Sequence, residues 1–237
     1  MCQAMSIPSI WPLSESDETR HPNSPAEAWW WWGVSSDRRA GIYVGLELCG
    51  DRFDYWAGIV RVDEPYLYIE ELHGTDLRDG LEIKPPEMWA DHSCDIPFQQ
   101  WSLGAEAHGV LLDDPSEAWN RAYGTLVPVT FDVEWFSARK PQRIDARDVN
   151  AVAPPDAVGG YRQSGEVDCE IGLATGVLHF VGPAERVHVW GGAYLPSSFA
   201  MPIAASGLRA PYRRSDAIHV DQVLTDRWWV NTKAANT

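Results

Sequence analysis

From Ala28 onward, apolar and polar positions alternate in short runs with the two-residue period of strands, and Gly, Pro and Asp interrupt them at close intervals. AWWWWGV (28–34) reads as an aromatic strand. GIYVGLELC (41–49), a turn at Gly50-Asp51 and RFDYWAGIVRV (52–62) form a predicted hairpin, which Asp63-Glu64-Pro65 ends. Further strands are expected at YLYIEELH (66–73), LEIK (81–84), MWADHSCD (88–95), QWSLGAEAHGVLL (100–112) and VPVTFDVEWF (127–136). DDPSEAWNRAY (113–123) carries the only helical signal of this half, a short helix near 114–123. After 137 hydrophobicity falls and Arg, Pro and Gly rise. A second strand series follows at 161–174, 176–182, 185–191 and 217–230.

The pattern predicts an all-β fold of two successive antiparallel barrel or sandwich units. Its divisions are an N-terminal arm (1–27), a first β unit (28–137), a linker (138–160) and a second, shorter and open or incomplete β unit (161–237). Parity assigns faces. Val167, Cys169, Ile171 and Leu173 alternate with Glu166, Asp168 and Glu170, the mark of a half-buried strand. Asp132 and Glu134 alternate with Phe131, Val133 and Trp135 and are expected to face water.

Composition narrows the function. The 237 residues carry a formal charge of −15, and residues 1–120 hold 22 acidic side chains against 7 basic ones. Nucleic acid needs a basic face and is excluded as the expected partner. Ten of the 13 Trp residues fall within 1–135. Cys2, Cys49, Cys94 and Cys169 are widely spaced and form no CxxC pair, so reduced thiols and no zinc ribbon are expected. No basic-flanked leader and no long apolar run appear, which makes a cytoplasmic protein without an integral membrane segment the expectation.

Phosphate-loop, dinucleotide, GxSxG and HExxH motifs are absent, so no cofactor and no metal site are expected. Asp113-Asp114-Pro115-Ser116-Glu117 has the spacing of a magnesium-binding DDxxE motif, but Asp114, Pro115 and Glu117 read better as a helix start with an N-cap and capping box.

In Trp89–Asp95, Trp89, Asp91 and Ser93 share one face, and His92 and Cys94 the other. A carboxylate beside Trp inside a barrel would have a raised pKa and could donate a proton; a solvated surface strand is the alternative. Glu106 and His108 share a face, an acid–base pair if interior and a surface patch if exterior; the more apolar opposite face favours exterior. Arg186, His188 and Trp190 share a face that could anchor a polar ligand end. Trp29–Trp32 sends two indoles to each side of a strand, suited to core packing or to a flat, apolar ligand.

The order of these segments resembles the lipocalin-like superfamily of carotenoid 1,2-hydratase and AttH-type proteins, in particular its actinobacterial branch. The resemblance spans about residues 28–192 and rests on AWWWWGV, LEIK, WADHSCD, EAHGVLLDDPSEAW, FDVEWF, Tyr161-Arg162-Gln163 and the Arg186-x-His188-x-Trp190-Gly191 segment. It implies two successive lipocalin-like units with a ligand cavity, and water addition or cyclisation on isoprenoid or polyketide chains among the activities. Relatives tend to read Arg-Asp-His-Ser-Trp-Gly where this chain has Val187 and Val189 in place of Asp and Ser, so a role resting on that Asp is lost.

These readings converge on a cofactor-independent enzyme acting on a hydrophobic isoprenoid- or polyketide-like molecule by hydration, isomerisation or cyclisation. Trp30, Trp56, Trp89 and Trp101 would wall the substrate, with Tyr161, His188 and Trp190 at its polar end. Asp91, ahead of Glu106, would move the proton, with His188 as a third catalytic candidate. The alternative is a non-catalytic lipocalin-like carrier of a hydrophobic ligand.

Overall fold

A computed structural model describes residues 12–61, 64–75, 77, 78, 80–113, 118, 123–143 and 159–191. Ten strands form one antiparallel sheet: β1 (Ala26–Val34), β2 (Ala40–Cys49), β3 (Arg52–Arg61), β4 (Tyr66–Gly74), β5 (Trp89–Ile96), β6 (Gln100–Leu112), β7 (Thr125–Ser137), β8 (Gln142–Arg143), β9 (Gly159–Leu173) and β10 (Gly176–Trp190). Eight of them close into a ring in the order β1-β2-β3-β4-β6-β7-β9-β10, because β10 pairs with both β9 and β1. The order follows the chain, as in an up-and-down barrel, the architecture that the lipocalin-like resemblance implies. β5 pairs with β6 and β8 with β9, beside the ring.

The hairpin β2–β3 turns at Gly50, whose φ of 64° suits glycine. Two expectations change. LEIK forms isolated bridges, Ile83 to Leu77 and to Ala90, and no strand. The separate strands 176–182 and 185–191 are one continuous β10 that runs through Pro183. Ser36 donates to the Val181 carbonyl, so backbone groups of that parity face β1; the β1 ladder stops at Ala184, and Pro183 leaves no ladder bond unmade.

The strands on either side of 144–158 belong to the same ring, since β9 pairs with β7 and β10 with β1. Among the described residues, β9 and β10 therefore complete the first unit's barrel and build no separate sheet. The strand expected at 217–230 and, except for Ala118 and Tyr123, the helix expected near 114–123 lie outside the described residues.

Inside the ring, one residue in two along each strand packs into a continuous core that includes Trp29, Trp31, Leu46, Tyr55, Ile69, Trp101, Phe131, Trp135 and Ile171. Asp132, Glu166, Asp168 and Glu170 point out and are exposed, as alternation predicts. β1 is buried on both faces, which explains its lack of alternation. A row of small residues crosses the closing seam, Gly33 opposite Ala184 and Ala184 opposite Gly165. A Cβ on Gly33 would lie 2.3 Å from a Val167 methyl carbon, and one on Gly165 would lie 2.4 Å from the Trp135 ring. These two glycines let the interior side chains of neighbouring strands cross the seam.

Candidate functional site in the barrel interior

Interior-facing positions of β9 and β10 carry Tyr161, Gln163, Arg186 and His188, all buried. The segment before β1 supplies their partners. A single 3-10 turn, Glu15–Glu18, places Glu18 at 2% exposure against them. Arg186 Nη2 donates to Glu18 Oε1 and to Gln163 Oε1, each at 2.7 Å, and Trp101 Nε1 donates to Glu18 Oε2 at 2.7 Å. The Tyr161 hydroxyl also donates to Glu18 Oε1. The guanidinium lies over the rings of Trp135, Tyr161 and Trp101 at 4.7, 5.1 and 5.5 Å. Burial works against the Glu18 carboxylate, but the Arg186 charge and the hydrogen bonds from Arg186, Tyr161 and Trp101 outweigh it and hold its pKa below the usual value. Burial, helped by the same carboxylate, pushes the Cys94 thiol up to about 12.

Beside this network, Glu27 Oε1 lies 2.7 Å from His188 Nε2 and 2.6 Å from His21 Nδ1. Trp29 stacks on His188 with ring centroids 4.5 Å apart, and Trp190 stacks on His21 at 4.2 Å. Glu18, His21, Glu27, Arg186, His188 and Trp190 thus belong to one polar and aromatic assembly where the N-terminal segment meets the barrel.

His92 is also buried in the interior, on the same face of β5 as Ala90 and Cys94. Its ring lies 5.3 Å from that of Trp31 and 5.6 Å from that of Tyr55. His92 Nδ1 donates to the Asp91 carbonyl oxygen at 2.8 Å, which fixes the tautomer and leaves Nε2 as an acceptor. Burial pushes its pKa down to about 4, so the ring is neutral at pH 7. Nε2 is buried and has no hydrogen-bond partner. Neither do the interior atoms Tyr55 Oη, Arg186 Nη1 and the Nε1 of Trp29, Trp31 and Trp135. Buried polar atoms are almost always paired, so these six interior atoms are candidates to meet a polar group from elsewhere.

The structure sorts the residues expected from sequence into three places. Trp101, Tyr161, His188 and Trp190 come together in the assembly around Glu18 and Glu27. Asp91, Trp89 and Glu106 lie on the outer faces of β5 and β6, where Glu106 is exposed, Asp91 half-buried, and Trp89 Nε1 donates to Glu82 Oε1 at 3.1 Å. Their side chains turn away from the interior because Ala90, His92 and Cys94 hold the inward parity of β5. Trp30 and Trp56 lie on the outer faces of β1 and β3; Trp30 donates to Glu47 at 3.2 Å, and burial, opposed by that hydrogen bond, raises the Glu47 carboxyl well above its usual range.

Sequence reasoning missed Glu18, His21, Glu27, Tyr55 and His92 as site residues. For His92 a signal existed, the shared face with Cys94. For Glu18 none did, because it lies in an acidic, Ser-rich stretch that reads as solvated.

No protein-family profile matches the chain, and no curated protein matches it. Among solved structures, this chain is similar to the crystal structure of CghA, with a TM-score of 0.39 and 12% identity over 77% of this chain and 53% of that one. CghA with Sch210972 gives 0.38 and 11% over 75% and 48%. Kievitone hydratase from Nectria haematococca gives 0.23 and 10% over 78% and 94%. The chain spans about half the length of the CghA chains it matches. No helix among the described residues is long and apolar enough to cross a membrane.

Proposed function

We propose that the barrel interior binds a largely apolar, oxygen-bearing small molecule, isoprenoid- or polyketide-like, and rearranges it by acid–base chemistry as a hydratase, isomerase or cyclase. The observation that carries this reading is His92 Nε2, a buried acceptor without a partner on a ring packed 5.3 Å from that of Trp31 and 5.6 Å from that of Tyr55, whose own N–H and hydroxyl are also unpaired. His92, whose pKa is near 4, is a neutral base across the physiological range and would accept a proton from a bound carbon acid or hydroxyl. Tyr55 Oη, the indole N–H groups and Arg186 Nη1 supply donors for carbonyl or hydroxyl oxygens, whose developing negative charge they would stabilise in a water-poor site. His92 thereby takes the proton-transfer role first expected of Asp91.

The carrier reading keeps one observation on its side. The two buried carboxylates that meet Arg186 and His188, Glu18 and Glu27, are both engaged.

Native mass spectrometry of the protein incubated with a lipid extract, beside His92→Gln, decides between the two. The enzyme reading expects bound ligand in both proteins and new product from the wild type alone, with turnover in the variant down by about a hundredfold or more. Wild-type turnover in His92→Gln removes the assignment, and unaltered ligand released from both proteins establishes a carrier.

A further inference from the structure

The His21–Glu27–His188 cluster joins three parts of the fold: the N-terminal segment, β1 and β10. Its reactive atoms lie within 4.8 Å of one another. Both imidazoles are oriented by Asp17. His188 Nδ1 donates to the Asp17 carbonyl oxygen at 2.8 Å, and His21 Nε2 faces Asp17 Oδ1 at 3.5 Å. With its proton on Nδ1, a neutral His188 presents the Nε2 lone pair, and a neutral His21 presents the Nδ1 lone pair in the tautomer that carries its proton on Nε2, beside Asp17. Both inner nitrogens point at the same oxygen, Glu27 Oε1, at 2.7 and 2.6 Å. In those tautomers three acceptors meet at hydrogen-bond distance, an arrangement that calls for a cation among them.

Two protons could serve, one on each inner nitrogen. That would make an imidazolium of His188, which is 1% exposed and stacked on Trp29. A single divalent ion avoids this, since it needs both imidazoles neutral. The surroundings match what metal-binding histidines require, an outer N–H held by a backbone carbonyl or a carboxylate. Glu27 Oε2 is likewise held, accepting the His21 backbone N–H at 2.8 Å.

The geometry points to a divalent transition-metal site of the zinc class, with His21 Nδ1, Glu27 Oε1 and His188 Nε2 as ligands, that fastens the N-terminal segment to the barrel. Nitrogen and oxygen ligands suit zinc, and bonds of about 2.0–2.2 Å would set the three donors roughly 3.3 Å apart. The two nitrogen–oxygen distances must therefore open by little more than half an ångström, an adjustment that His21, carried outside any strand, accommodates most easily. Three protein ligands leave a fourth position for water. The site is separate from His92 and does not depend on the proposed catalysis.

The test uses the full chain, stripped with a chelator and dialysed. Cobalt(II) titration should give the visible absorption of a tetrahedral site saturating at about one equivalent, and zinc should displace it. Zinc should also raise Tm by several degrees and slow proteolysis of the segment around residues 12–25. His21→Ala removes a half-buried ligand from outside the strands, so the variant should fold and lose all three responses. His179→Gln, at an exposed histidine paired with Asp168, should keep them. Absence of stoichiometric uptake by the wild type, or uptake undiminished in His21→Ala, overturns the site and leaves protons as the cations of the cluster.

Discussion

Arg186 Nη2 and Glu18 Oε1 meet at 2.7 Å across 168 residues of sequence, both almost fully buried. One partner is fixed on the interior face of β10, and the other is carried by a short turn before β1. Removing the two has different consequences.

With Glu18→Gln, the Arg186 guanidinium stays locked in the interior without a counter-charge, and the loss should be about 3–5 kcal/mol. With Arg186→Met, the Glu18 carboxylate can reach water if its segment leaves the barrel. The expected signature is rapid amide exchange and protease cleavage across residues 12–25, with the barrel intact. Denaturant melts of both variants and exchange mass spectrometry read the difference. Unchanged protection of 12–25 in Arg186→Met contradicts the account.

The Glu18 carboxylate sits below its ordinary value of 4.5, so the folded state holds on to the ionised form. The unfolded chain takes up the proton first. The stabilisation is therefore complete above about pH 4.5 and is lost as pH falls through the lowered folded value. Tm measured between pH 7 and 3 should drop less steeply in Glu18→Gln than in the wild type.

His92 works in the same direction over a higher range. Its folded pKa of about 4 lies below the ordinary 6.5, so the unfolded state binds more protons between those limits. Stability should fall as the pH drops from 6.5 toward 4, by roughly 3 kcal/mol in all. His92→Leu should flatten that part of the profile. A wild-type slope retained in the variant means that another group titrates there.

Gly33 and Val167 offer a packing test. Gly33→Ala drives a methyl group to within 2.3 Å of a Val167 methyl and should cost about 1–3 kcal/mol. Adding Val167→Ala makes room, and the double variant should recover part of the loss. Thermal melts of the four proteins in the cycle give the coupling, and strict additivity would place the strain elsewhere.

The strands were legible wherever one face is wet. β6 and β9 alternate cleanly and fall where the pattern puts them, and the β2–β3 hairpin turns at Gly50 as read. The ring was not legible, because the β1–β10 and β7–β9 pairings join segments that no local pattern connects. The same limit misplaced the site. On β5, Trp89 looked like the marker of the inner face, yet it packs outside near Gly104 and bonds Glu82. The inward face is the modest one, Ala90, His92 and Cys94. Glu18 has no signature of burial in its own neighbourhood, since its partners come from β6, β9 and β10.

The pairing of β1 with β10 carries a consequence for how the protein is made. Glu27 waits for His188, 161 residues later, and Trp30 for Val187. While the ribosome is still adding the intervening chain, the four consecutive tryptophans form an unprotected edge that only β2 can cover on one side. Closure demands the longest-range contacts in the sheet, which slows folding and leaves that edge open to association with other chains in the meantime. The barrel's seam is thus the last part to become safe from aggregation, and a refolding rate limited by its formation is expected to respond more to Gly33 and Ala184 than to residues of the β2–β3 hairpin.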